Sequence, residues 1–180
     1  MKNRYTFIPK EHIVRAPAIE IRPARPADVD GIAALVHAQA RQGNLLPRPA
    51  AAIYETIDDW IVAVAGEEIV GCVSLLGYPS GLVEVRSLAV QDGAQGRGIG
   101  RRLLAALIDE ARRRKIPTLF ALTRAVGFFL GFGFVVAERE SFPEKVWRDC
   151  WQCPLLDACD ETAVVLTMGN GDRGSGISKD

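Results

Sequence analysis

The hexamer QGRGIG, residues 95–100, combines three glycines with an arginine at a spacing that suggests phosphate binding. Glycine lets a backbone approach a ligand closely, and the free N–H groups at the start of a helix attract anions. No Gly-Lys pair exists in the chain, which excludes a P-loop, and Arg101 and Leu103 break the dinucleotide fingerprint G-x-G-x-x-G. The hexamer therefore predicts a phosphate-binding turn of another kind, with a simple strand-to-helix connection as the alternative.

Regular elements are expected on both sides of the hexamer. Ile99, Leu103 and Leu107 recur every four residues and predict an amphipathic helix. Asp28 is the expected N-cap of an earlier helix. The predicted strands cover residues 18–24, 60–66, 68–77, 81–90, 118–123, 134–138 and 163–168. The resulting order, β–α–α–β–β–β–α–β–α–β–β, predicts an α+β fold: a mixed, mostly antiparallel sheet flanked by helices, with one parallel crossover.

Composition and charge exclude several classes of protein. The chain has 22 basic and 22 acidic residues among 180, so no overall positive field favours nucleic acid or an anionic membrane. Its apolar runs are shorter than a membrane-spanning helix needs. We expect a cytoplasmic protein with one domain over residues 18–168, an N-terminal extension over 1–17 and a disordered tail over 169–180.

The hexamer and its surroundings resemble the acyl-CoA-binding motif of the GNAT acetyltransferases. The likeness rests on Gln95, Gly98 and Gly100 between a strand and a long helix, on VRSLAV before them and on GFFLGFGF after them. It implies the acyl-CoA N-acyltransferase fold, acetyl-CoA as co-substrate, and a backbone N–H of Leu88 that binds the acetyl oxygen. The residues that the resemblance assigns to acetyl-CoA are Leu88, Ala89, Val90, Gln95, Gly96, Arg97, Gly98, Ile99, Gly100 and Arg101.

A narrower likeness is to the acetyltransferase domain of short bacterial N-acetylglutamate synthases. It rests on GNLLPRP, IVGCVSLL, LFALTRAVGFF and the segment FPEKVWRDCWQCPLLDACDE. It implies acetyl transfer to the α-amine of L-glutamate by direct attack in a ternary complex, with a homodimer left open. Acetylation of another amino acid, a small amine or a protein N-terminus is the first alternative, and a non-catalytic acyl-CoA-binding regulatory module is the second.

Two side chains are candidates for the proton transfers. An amino group must lose a proton before it attacks a thioester, and Glu84 in the central strand is the expected base. Pairing of Glu84 with Arg86 on the same strand face is the alternative. Phe129 stands where many relatives have a tyrosine acid, so Thr123 is the expected donor to the leaving thiolate. A strand end or helix cap is the alternative role for Thr123.

A dicarboxylate acceptor needs cations, and arginine matches a carboxylate best because its planar fork donates two hydrogen bonds. Arg48 in LLPRP lies where the resemblance places a glutamate-binding arginine. Lys145, Arg148 and Arg124 are the further candidates. A solvated surface charge is the alternative for each.

Three cysteines, Cys150, Cys153 and Cys159, form the pattern C-x2-C-x5-C within the segment 142–161. A C-x2-C pair is typical of half a zinc site, but the chain has no second pair. Reduced thiols are the expected state, and zinc or an iron–sulfur cluster stays the alternative. We expect catalysis to require no metal.

Overall fold

The computed structural model describes residues 17–153 and 158–169. The expected N-terminal extension and tail therefore lie almost wholly outside the described residues. The described helices are α1 (Val29–Arg41), α2 (Ala50–Glu55), α3 (Ile99–Arg113), α4 (Val126–Leu130) and α5 (Pro143–Arg148). The described strands are β1 (Ile19–Pro23), β2 (Trp60–Ala65), β3 (Glu68–Gly77), β4 (Val83–Val90), β5 (Thr118–Thr123), β6 (Val135–Ala137) and β7 (Thr162–Thr167).

The seven strands form one sheet in the order β1-β2-β3-β4-β5-β7-β6. Neighbouring strands are antiparallel except β4 and β5, which are parallel and are joined through α3. This topology confirms the α+β prediction, including its single parallel crossover.

Strand alternation divides the apolar core between the two faces of the sheet. In β2, Ile61 and Ala63 join the cluster that α3 covers, whereas Trp60, Val62 and Val64 join the cluster that α1 covers. Successive side chains of a strand point to opposite faces, so a strand buried on both sides reads as one continuous apolar run. The run WIVAVA therefore places β2 between two layers of helix.

Helix α3 presents its predicted apolar stripe to the sheet. Ile99, Leu103 and Leu107 are almost completely buried, while Arg112 and Arg113 in the last turn are exposed. Burial of each leucine contributes on the order of 1.5–3 kcal/mol, so this stripe fixes the helix firmly on the sheet. The phosphate-binding turn at its N-terminus is thereby held next to the end of β4.

The expected N-cap role of Asp28 is only half right. Asp28 does immediately precede α1, but its carboxylate makes no capping hydrogen bond to that helix. Instead it accepts two hydrogen bonds from Arg22, at 2.7 and 2.9 Å, and one from the Arg25 N–H at 2.7 Å. The Arg22 guanidinium holds the pKa of Asp28 below its usual range.

Helix α5, between β6 and β7, has no counterpart in the predicted order. Its six residues are too few to show a helical period, and Pro143 at its first turn is the only local sign of its start. Among the described residues, no helix has the length and apolar character that crossing a bilayer requires.

Candidate active site

A cavity of about 450 Å³ opens where β4 and β5 separate. The two strands pair only at Val83 with Leu119 and at Glu84 with Phe120, and the rest of β4 has no partner in β5. The walls come from β4, β5, α4, the loop 43–48 and the segment around α5. The charged side chains that line the cavity are Arg48, Glu84, Arg86, Arg124, Arg139, Lys145 and Glu161.

A β-bulge in β4 lies beside this cavity. Cys72 pairs with Ala89 and Ser74 pairs with Arg86, so Ser87 and Leu88 stand opposite one residue of β3. Ser87 has a φ of +54°, a conformation that costs a non-glycine residue about 1–2 kcal/mol. Bulges leave a residue out of the ladder and concentrate next to active sites. Leu88, the predicted oxyanion donor, is therefore outside the regular pairing, whereas Ala89 and Val90 are within it.

Glu84 is buried in the cavity wall and already has two partners. Its Oε2 accepts a hydrogen bond from the Tyr78 hydroxyl at 2.7 Å, and its Oε1 lies 2.7 Å from the Lys145 ammonium. The alternative pairing with Arg86 is wrong, because no hydrogen bond or ion pair joins those two side chains among the described residues. Burial raises the pKa of Tyr78, and the charge of Glu84 adds to that effect.

Lys145 joins Glu84 to a second carboxylate, Asp149, at 2.8 Å. Arg48 donates to both oxygens of Asp149, at 3.2 and 3.3 Å. Burial alone would favour the neutral acid, but the hydrogen bonds from Arg48 and the charge of Lys145 hold the pKa of Asp149 well below its usual range. Two of the predicted substrate-binding cations thus share an internal counter-ion that the sequence did not reveal.

The other two predicted cations are placed differently. Arg124 lines the cavity, but it donates to Asp160 at 2.6 Å and to the Gly43 carbonyl at 2.9 Å, which ties the end of β5 to the loop after α1. Arg148 is exposed and does not line the cavity. Its guanidinium lies 5.7 Å from the ring centroid of Tyr78, a cation–π contact.

Thr123 lies at the end of β5 and is nearly buried in the cavity wall. Its Oγ1 accepts a hydrogen bond from the Ala125 N–H at 2.9 Å, just before α4 begins. A hydroxyl oxygen that accepts still has a proton to donate. Thr123 therefore fulfils its alternative structural role and keeps a donor for the cavity. Phe129 packs edge-on against Phe134 in the core, with ring centroids 5.2 Å apart.

The glycine-rich turn forms an exposed loop at the start of α3. Gly96 and Gly98 both have a φ of +73°, which favours glycine, and Gly98 directly precedes the helix. The side chain of Gln95 donates to the Val90 carbonyl at 3.1 Å, which holds the loop against the end of β4. Ile99 is buried in the core beneath the loop.

The arginines of this turn are not equivalent. Arg97 is exposed. Arg101 stacks on Phe132 at 5.1 Å from the ring centroid. Arg102 donates to the Ile19 carbonyl at 2.9 Å and so belongs to the β1 side of the sheet.

Cys150, Cys153 and Cys159 all reach the same cavity. Over residues 17–153 and 158–169 no three His, Cys, Asp or Glu side chains gather as a metal site would require. His12, which could supply a fourth ligand to the three cysteines, lies outside the described residues. The three cysteines line the cavity together with Arg139.

Five residues of the site escaped prediction from sequence: Tyr78, Asp149, Arg86, Arg139 and Glu161. The first two are visible only as partners of Glu84 and Lys145 in the folded chain. Arg86 was considered only as a partner for Glu84. Burial raises the pKa of Glu161, and no ion pair within the described part of the chain balances its charge.

Known proteins are similar to this chain over most of its length. The chain is 38% identical over 148 residues to an uncharacterized N-acetyltransferase of Chlorobaculum tepidum. These residues make up 82% of this chain and 96% of that protein. It is 34% identical over 139 residues to an amino-acid acetyltransferase of Neisseria meningitidis, covering 76% of this chain but 32% of that protein. The chain thus spans about a third of the length of that relative.

A solved structure with the same fold is that of N-acetylglutamate synthase from Neisseria gonorrhoeae complexed with coenzyme A and N-acetyl-glutamate. It superposes with a TM-score of 0.72 at 30% identity, covering 85% of this chain and 36% of that one. Residues 35–134 match the Acetyltransferase (GNAT) family. With the separated β4 and β5 and the glycine-rich turn at the start of α3, this match shows that the chain belongs to the GNAT family of acetyltransferases.

Proposed function

We propose that this acetyltransferase transfers the acetyl group of acetyl-CoA to the α-amine of L-glutamate. The charge of the cavity carries the proposal. Among residues 17–153 and 158–169, five basic and two acidic side chains line it, and Asp149 and Asp160 neutralise two of the bases, which leaves one positive charge. Glutamate at neutral pH has two carboxylates and one ammonium, a net charge of −1. A neutral amino acid or a simple amine would leave that positive charge unbalanced.

Acetyl-CoA would enter from the α3 side. The N–H groups at the start of α3 and the left-handed Gly96 and Gly98 offer the pyrophosphate a cradle without side chains. The pantetheine arm would lie along β4 beyond the point where β5 departs, as in other members of the family. The Leu88 N–H, freed by the bulge, would donate to the acetyl oxygen as it gains negative charge.

Glu84 is the proposed acceptor of the ammonium proton. Each carboxylate oxygen has a second lone pair, so Glu84 can still accept a proton from the cavity, directly or through water. Glu161 is a second carboxylate on the cavity wall, and its raised pKa suits a base. Thr123 would donate a hydrogen bond to the departing thiolate.

The test is thiol release from acetyl-CoA with a panel of acceptors: glutamate, glutamine, aspartate and a simple primary amine. We expect the highest kcat/KM with glutamate. Equal rates with glutamate, glutamine and aspartate would refute the proposal. Binding of acetyl-CoA with no thiol release from any amine would identify the chain as a non-catalytic module.

The pH dependence of kcat/KM for Glu84→Gln and Glu161→Gln separates the two candidate bases. Loss of one base by mutation typically reduces the rate about 10²–10⁴-fold and removes the acidic limb of the profile. We expect this result for Glu84→Gln and a retained acidic limb for Glu161→Gln. The reverse pattern would assign the proton transfer to Glu161 and refute the role of Glu84.

A further inference from the structure

Arg86 has an unusual environment for a half-buried guanidinium. It lies in β4, in the wall of the cavity, and its Nε is buried without a hydrogen-bond partner. Within the described residues its side chain forms no ion pair and no hydrogen bond. Glu84 and Asp149 favour its charged form only from a distance. Burial and the nearby charge of Arg48 outweigh them and lower the pKa of Arg86.

A buried cation without a partner is costly. Removing an ion from water costs several kcal/mol unless an opposite charge and hydrogen bonds replace the water. Three of the predicted cations avoid that cost, because Arg48 and Lys145 bind Asp149 and Arg124 binds Asp160. Arg86 lacks such compensation in the described structure, so its geometry suits an anion that arrives with a ligand.

The position of Arg86 along β4 indicates which ligand that is. The part of β4 proposed for acetyl-CoA starts at Leu88 and leads on to the phosphate-binding turn at residues 95–100. Arg86 precedes Leu88, so it lies on the opposite side of the acetyl position from the phosphates. The thioester end of acetyl-CoA carries no charge. An anion at Arg86 must therefore belong to the acceptor.

We propose that Arg86 is a specificity-determining residue that binds a carboxylate of the acceptor amino acid. This inference rests on the proposed function, because it assumes that the acceptor is an amino acid. An arginine fork can give a carboxylate two parallel hydrogen bonds and full charge compensation. The same contact makes an acceptor without that carboxylate costly to bind, because it leaves the guanidinium buried and unpaired.

The test compares Arg86→Met and Arg86→Lys with the wild type. Loss of one partner of a buried charge pair costs 2 kcal/mol or more, so we expect kcat/KM for glutamate to fall about 30-fold or more in Arg86→Met. Arg86→Lys should recover part of that loss, and the KM for acetyl-CoA should stay within about twofold of wild type. Arg112→Met is the matched control, since Arg112 is exposed on α3 and far from the cavity.

Stability distinguishes this role from a structural one. Removing an uncompensated buried cation should leave the Tm of the unliganded protein unchanged or raise it. A fall of Tm in Arg86→Met beyond that of Arg112→Met would show that Arg86 supports the fold instead, and would overturn the inference.

Amide analogues of the acceptor complete the test. Glutamine lacks the side-chain carboxylate, and glutamate α-amide lacks the α-carboxylate. Each analogue is measured as a substrate, or as a competitive inhibitor against glutamate. We expect the effect of Arg86→Met to vanish with one of the two, and that analogue identifies the carboxylate bound. An equal effect with both, or no effect with glutamate, would refute the inference alone. Acetylation only of amines without a carboxylate would refute the proposed function as well.

Discussion

Lys145 is the residue on which the stability of the site most depends. Its ammonium lies 2.7 Å from Glu84 and 2.8 Å from Asp149, and all three side chains are at most 8% exposed. In Lys145→Met, Asp149 would keep both hydrogen bonds from Arg48, but Glu84 would keep only the Tyr78 hydroxyl. One buried carboxylate would thus lose its cation.

Removing one partner of a buried pair typically costs 3–5 kcal/mol. Since Tyr78 still donates to Glu84, we expect the lower end, about 3 kcal/mol of the free energy of unfolding at pH 7. The double variant Glu84→Gln/Lys145→Met carries no orphaned charge, so it should recover about 2 kcal/mol of that loss. Exposed Arg112 provides the control again, and Arg112→Met should cost less than about 1 kcal/mol.

The assay is urea unfolding followed by fluorescence, since the chain has three tryptophans and Trp60 is buried. The same assay on Glu84→Gln/Lys145→Met tests the electrostatic cause, because that variant keeps no carboxylate opposite the missing ammonium. In the wild type, Asp149 has a folded-state pKa below that of the unfolded chain, so its contribution is lost as the pH falls below about 3.9. A loss below 1 kcal/mol for Lys145→Met at pH 7, or no recovery in the double variant, would refute the reasoning.

Further variants test other parts of the structure. Gly98→Ala should raise the KM for acetyl-CoA about 5–30-fold, since its φ of +73° costs alanine about 1–2 kcal/mol, whereas Gly93→Ala should not. Asp28→Asn should lose about 1.5 kcal/mol of stability at pH 7 as Arg22 loses its partner, and this difference should vanish as the pH falls below about 3.9, in urea unfolding. Chelator treatment should leave thiol release unchanged. Arg48→Met should raise the KM for glutamate at least tenfold while lowering stability by about 1 kcal/mol or less.

Elements with a strong local signal could be predicted from the sequence. The spacing of the leucines predicted α3. The two apolar runs on either side of Gly66 predicted β2 and β3, which form a hairpin with Gly66 at a φ of +65°. Helix α5 could not be found, because six residues give too short a period. The bulge in β4 had no signal either, since serine is not a residue that favours a positive φ.

The residues of the site likewise fall into those with a local sequence signal and those without one. The glycine-rich turn is local, so its glycines and the following helix predicted its place in the fold. The charged part of the cavity depends on tertiary contacts: Arg48 meets Asp149 from 101 positions away, and Tyr78 reaches Glu84, six positions along the chain, because the β3–β4 turn brings them together. Candidate cations could be chosen by residue type, but their counter-ions are a property of the fold.

Those counter-ions also bear on which predicted cation we expect to bind the proposed substrate. If Lys145 bound a substrate carboxylate instead, Glu84 would lose its only ion-pair partner among the described residues and keep only the hydrogen bond from Tyr78. Arg48 can exchange Asp149 for a substrate carboxylate, because Asp149 would still have Lys145 at 2.8 Å. The hydrogen bonds from Arg48 to Asp149 are also long, at 3.2 and 3.3 Å. The Nε of Arg48 is buried without a partner as well, so its present pairing leaves a donor unused. An incoming carboxylate could take up that donor, and this makes Arg48 the exchangeable cation of the pair and Lys145 the fixed one.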